Sequence, residues 1–150
     1  MVFFGRSKKV FLPIGAAAPE GSFDCDNNEF IVNGGTLVGI GGNISRPSSY
    51  SSTQNIVILG SIARGNTMSL IADDGTVAFA FTVPQAFETM VLSSPRIITG
   101  TSYSLYTGGV AAAESSFGGM FLGDIIYSGG TFVTRFNVSS GITKLGGTIF

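Results

Sequence analysis

The sequence predicts an all-β protein in which a short segment of coiled, solenoid-like strands precedes a set of antiparallel hairpins. Three observations predict it. Short β-branched and aromatic runs end repeatedly in Gly, Asn, Asp or Ser clusters. A stretch near the start of the chain repeats with a period in the twenties, and an Asp-Gly turn separates two apolar runs. At 150 residues, with 44% apolar and only 11% charged residues, the chain can bury a core as one compact domain, or as a small domain with an appendage. It draws its solubility from Ser, Thr, Asn and Gly.

The coiled segment comes first. "FLPIGA" (11–16) overlays "LVGIGG" (37–42) at an offset of 26 residues, Ile14 over Ile40 and Gly15 over Gly41. Strand-and-glycine units of this length build parallel β-helices, whose turns stack apolar positions on one another. One clear coil is predicted at 23–43 and a degenerate one before it. "GGT" at 34–36 recurs at 129–131 and 146–148, where a glycine-rich chain repeats it by chance. After residue 48 the texture becomes hairpin-separated strands, so a junction is predicted in the Ser-rich "SRPSSYSSTQ" (45–54), dividing the chain into 1–48 and 49–150.

Beyond that junction, "NIVILGS" (55–61) is a short apolar strand. "TMSLIADDGTVAFAFTV" (67–83) is a hairpin, with Gly75 supplying the positive φ of its tight turn. Phe79 and Phe81 share one face of its second strand. "PQAFETMVL", with Pro84 at its start, is the only window with helical character. "TMVLSS" (89–94), "SYSLYTGG" (102–109) and "TFVTRFNVSSG" (131–141) complete the strands.

Composition removes many chemistries. The chain has no histidine, which eliminates Ser-His-Asp triads, Cys-His pairs and HExxH zinc sites. Its single cysteine, Cys25, forms no intrachain disulfide or cysteine-held zinc site; between two acids it reads as a small buried residue. No phosphate-binding loop is present, and "GIGGNI" (39–44) lacks the third glycine of a dinucleotide fingerprint. With net charge −1 and no basic cluster beyond Arg6, Lys8 and Lys9, nucleic acid is not an expected partner. Apolar runs such as 77–81 fall far short of the roughly 20 residues of a membrane helix, so no span is expected. The opening "MVFFGRSKKVFLPIGAAAPEGS" places its basic residues after the first apolar group and is interrupted by Pro13, so it does not read as a signal peptide. None of the nine carboxylates stands out as a hydrolytic pair.

Two constellations remain. "DCDNNE" sets Asp24, Asp26 and Asn28 at alternate positions, oxygen ligands at the 1, 3, 5 spacing of a calcium loop. An EF-hand fails, because its turn glycine is replaced by Glu29 and its bidentate Glu by Gly35. The residues either cap a turn through their own side chains or turn one oxygen-rich side to a hard cation. For sugar binding the candidates are Tyr50, Tyr103, Tyr106 and Tyr127, since there is no Trp. In "SYSLYTGG", Tyr103 and Leu105 share one strand face and Tyr106 the other, so at least one Tyr belongs to the core.

At "APEGSFDCDNNEFIVNGGTLVGIGGN" (18–43), "SSTQNIVIL" (51–59) and "SSPRIITGTSYSLYTGG" (93–109), the chain resembles the C-terminal part of bacterial carbohydrate-binding-domain proteins. The resemblance runs from about Val10 to Gly146, and its most specific parts are "GSFDCDNNEF", the "TQN" after the Ser-rich junction, and the pattern that runs from "SSP" through "TG" and "SY" to "YTGG" over 93–109. These are secreted or surface proteins, calcium-containing binders of cellulose and pectin related in shape to polysaccharide lyases. The resemblance implies the last coils of a right-handed parallel β-helix followed by an antiparallel, sandwich-like module. It also implies non-catalytic binding of plant-type or acidic polysaccharide outside the cell or at its surface. Calcium would sit at Asp24 and Asp26, with Asn27 and Asn28 near. The family's upstream coils are absent from this sequence, so the exposed coil edge is expected to pair with another copy. Two rival expectations are a capping and assembly module for a β-helix, and a fragment of a calcium-dependent lyase. For the second, Arg6, Lys8, Lys9 and Arg46 are the nearby bases and none is singled out.

Overall fold

A computed structural model describes residues 2–3, 10–11, 29–42, 45–63 and 65–147. Among them the chain is all-β, with strands β1 (Val2–Phe3), β2 (Val10–Phe11), β3 (Glu29–Val32), β4 (Thr36–Gly41), β5 (Arg46–Pro47), β6 (Ile56–Leu59), β7 (Thr67–Ala72), β8 (Val77–Thr82), β9 (Thr89–Ser93), β10 (Ser102–Phe117), β11 (Met120–Asn137) and β12 (Ile142–Lys144). The backbone divides into two compact units. Unit 1 takes Met1–Ser61, Phe87–Thr99 and Ser139–Phe150; unit 2 takes Ile62–Ala86 and Gly100–Val138. The Ser-rich segment 45–54 lies within unit 1.

Unit 1 holds a five-stranded sheet, order β12-β6-β9-β4-β2, and a three-stranded parallel sheet, order β1-β3-β5. In the first, β9 runs antiparallel between β4 and β6. β2 pairs in parallel with β4, Phe11 opposite Leu37. That register equals the 26-residue offset between 11–16 and 37–42. The core cluster joins both sheets: Phe30 and Val32 from β3, Leu37 from β4, Ile56 and Ile58 from β6, and Val91 from β9, with Ile142 packed against it. All residues of β6 and β9 are buried. The apolar run of β6, and the Met90–Leu92 run of β9, fit strands covered on both faces.

Two expectations are corrected in this unit. The window with helical character is no helix: its second half is β9, and no helix occurs among the described residues. A position between two strands gives each face of the backbone ladder a partner, and this tertiary gain outweighs a weak local preference. The later part of the chain is also not wholly antiparallel, because β12 pairs in parallel with β6, Ile142 opposite Ile56. Gly141 stands where that pairing begins. Its carbonyl accepts from Ile56 N at 2.9 Å and its amide donates to Asn55 Oδ1 at 3.2 Å, so both strands start from one end.

Unit 2 is a four-stranded closed barrel, order β10-β11-β8-β7. The Asp-Gly turn joins β7 to β8: Gly75 has φ 89°, its amide donates to Ala72 O, and Asp74 Oδ1 accepts from Thr76 N at 2.9 Å. Thr76 holds the Asp74 carboxyl below its ordinary range, the backbone amide being the larger cause. β10 pairs with β7 only over 103–107 and continues to Phe117 as a long ribbon with β11. Closure comes at the ribbon's tip, where Met120 pairs with Phe81 and Thr82 N donates to Gly119 O at 2.8 Å. Phe79, Phe81, Met68, Leu70, Tyr103, Leu105 and Met120 are buried.

Candidate functional site

The proposed ligands Asp24, Asp26 and Asn28 lie outside the described residues. Among the described residues no group of three or more acidic, cysteine or histidine side chains is placed to hold a metal ion. Two other conspicuous sequence segments lie among the described residues. "TQN" and "SSP" are tied together by hydrogen bonds within unit 1. Gln54 Nε2 donates to Gly35 O at 2.7 Å and to Ser93 Oγ at 2.8 Å. Ser93 Oγ in turn donates to the carbonyl of Asn55 at 2.5 Å. Asn55 Nδ2 reaches Ile97 O and Thr99 Oγ1 at 3.1 and 2.9 Å. Thr53 donates from its amide and hydroxyl to Asn33 Oδ1, and Val32 N donates to Ser52 Oγ. Polar side chains beside a strand end thus satisfy backbone groups that no ladder reaches.

The four tyrosines separate. Tyr50 stands on unit 1 with 98% of its surface exposed. Tyr103 is 1% exposed, packed against Phe136 with ring centroids 6.3 Å apart, and presents no ring face to a surface ligand. Tyr106 and Tyr127, both half-buried, come together on the β10–β11 ribbon at 6.3 Å between centroids. Phe132 joins them, edge-on to Tyr106 at 5.9 Å and 55% exposed.

Glycines make this meeting geometrically available. Tyr106 lies opposite Phe132 in the register, but Tyr127 lies opposite Ala111, five positions away along β11. Between them Gly108, Gly109 and Gly129 have φ of 80°, 69° and 76°, left-handed values inside paired strands that L side chains rarely adopt. The ribbon departs from regular pleating there, and the Tyr127 ring passes over Gly130. Its hydroxyl donates to Gly108 O at 2.5 Å. A Cβ at Gly130 would run into that hydroxyl and lie 2.7 Å from Cζ. Burial, then the neighbouring Tyr106, pushes the Tyr127 phenol above its ordinary range, which keeps it a donor further into alkaline conditions.

A cluster of partly exposed rings can receive a ligand with a C–H-rich face, because the negative face of an aromatic ring attracts those hydrogens. Its charge environment is sparse. The described arginine of unit 2, Arg135, is engaged with Asp73 through Nε at 3.1 Å and Nη2 at 2.5 Å. Sequence reasoning missed Phe132. A repeat, Tyr-Thr-Gly-Gly at 106–109 and Tyr-Ser-Gly-Gly at 127–130, is the available signal for the meeting of Tyr106 with Tyr127, Gly108 lying opposite Gly130; no such signal marks Phe132. Comparison of the chain with family models, characterised proteins and solved structures gives no match.

Proposed function

We propose that the protein binds polysaccharide without catalysing its cleavage, outside the cell or at its surface, through the rings of Tyr106, Tyr127 and Phe132. The observation that carries this reading is the cluster itself: three aromatic side chains gathered on a glycine-bent ribbon, with part of their surface left to solvent. The part of these rings left to solvent is apolar surface that the C–H face of a sugar can cover. Tyr50 is a second stacking candidate, on unit 1. The sequence resemblance to bacterial carbohydrate-binding-domain proteins points the same way. The 26-residue parallel register of β2 and β4 supports reading the start of the chain as the last coils of a right-handed β-helix. Calcium at Asp24, Asp26 and Asn28 belongs to that reading, as does pairing of the coil edge with another copy of the chain.

Titration calorimetry with soluble β-glucan, xylan and polygalacturonate tests the sugar site. Wild type is expected to bind at least one of them. Tyr106→Ala or Phe132→Ala should weaken binding by about tenfold, equivalent to about 1.4 kcal/mol. Absence of affinity for every polymer sinks the proposal. Sedimentation of the same samples reads self-association: a monomer at all concentrations removes the edge-pairing component.

A further inference from the structure

We infer that Tyr127 is a positioning residue: its phenol clamps the glycine bend of the β10–β11 ribbon and thereby presets the rings of Tyr106 and Phe132 for a ligand. The inference rests on the carbohydrate reading for the ligand's identity and on geometry for the clamp.

Three features carry it. The bend is built from Gly108, Gly109 and Gly129, residues that gain the most conformational freedom when released, in the stretch of ribbon between Thr107 and the tip at Gly119 and Met120 where β10 pairs with β11 alone. Two-stranded ribbons hold their shape poorly in water, so the bend requires a fastening. Tyr127 supplies one by crossing to the opposite strand, where its hydroxyl meets Gly108 O. The bare Cα of Gly130 is what lets the ring lie there, since any Cβ would displace it. The clamped ring also borders Tyr106, which touches Phe132. Fastening and platform therefore share one residue. With the bend fastened, the binding-competent form is already the populated one, and apparent affinity is not reduced by the fraction of molecules that would otherwise be misarranged.

Tyr127→Phe keeps the ring and removes the donor. The expected result is about fivefold faster amide exchange at 107–110 and 127–131, with exchange in β7 and β8 unchanged, as loss of one hydrogen bond of about 1 kcal/mol predicts. Glycan affinity should fall measurably but by less than that factor, since the competent form predominates in the wild type. The fall should come through a slower association rate at nearly constant dissociation rate, because fewer free molecules are competent while the bound contacts are the same. A mere loss of contact would instead raise the dissociation rate. Gly130→Ala, which dislodges the ring, should reproduce the faster exchange and, because it also takes the Tyr127 ring out of the stacking cluster, should raise the glycan dissociation rate as well. Unchanged exchange in Tyr127→Phe overturns the clamp whatever the affinity does. Faster exchange with unaltered affinity overturns the positioning role. Faster exchange with no glycan affinity in either protein upholds the clamp and overturns the carbohydrate reading instead.

Discussion

Gln54 shows how a side chain that looks like generic loop polarity can organise a unit. Its amide nitrogen bridges Gly35 O and Ser93 Oγ, tying the turn after β3 to the end of β9. Gln54→Ala leaves both acceptors unserved at a partly buried position, and should lower unfolding free energy by about 1–2 kcal/mol, measured by urea denaturation. An unchanged midpoint and slope would show the bridge to be energetically idle. The sequence marks "TQN" and "SSP" as distinctive without revealing that they bond to each other, since the partners are 39 residues apart. For the tyrosines, strand alternation separates Tyr103 from Tyr106 and anticipates a core Tyr; Tyr103 is that residue. It could not bring Tyr127 to Tyr106, because three left-handed glycines intervene and alternation assumes a regular pleat.

Individual strands are most legible where their determinants are local. The β7–β8 hairpin follows from its Asp-Gly turn and flanking apolar runs. β9 is obscured because its strand character comes from neighbours on both sides, at β4 and β6. Two turn glycines separate local strain from crowding. Gly75 and Gly119 have φ of 89° and 90°, but a Cβ at Gly75 would meet open space whereas one at Gly119 would lie 2.6 Å from Thr82 O. Gly75→Ala should therefore cost about 1 kcal/mol, the left-handed penalty alone. Gly119→Ala should cost roughly 2–4 kcal/mol, because it also pushes apart the ribbon tip and β8 where the barrel closes. Thermal or denaturant unfolding of both variants checks the order; equal losses would mean that the tip contact contributes little.

For the molecule as a whole, the all-β class is visible in composition and turn spacing, and the 26-residue offset in sequence reappears as the register of β2 on β4. Division into units is harder to see, because unit 1 is assembled from three separate stretches and unit 2 from two, while texture along a chain reports only neighbours. The calcium proposal is tested at this scale too. A cation bound only by the native state must raise the melting midpoint by linkage, by the equivalent of about 2.7 kcal/mol when present at a hundred times its Kd. Wild type should melt higher in millimolar calcium than in chelator, and Asp24→Ala or Asp26→Ala should lose the difference; no shift in wild type removes calcium from the proposal. The parallel pairing of β12 with β6 sets a schedule for synthesis. Residues 62–138 contain every strand of the barrel, so its closure does not depend on β12. The five-stranded sheet has no such freedom: β6 keeps an open flank until Lys144 has left the ribosome, an interval in which that buried apolar strand offers its ladder to any extended chain nearby.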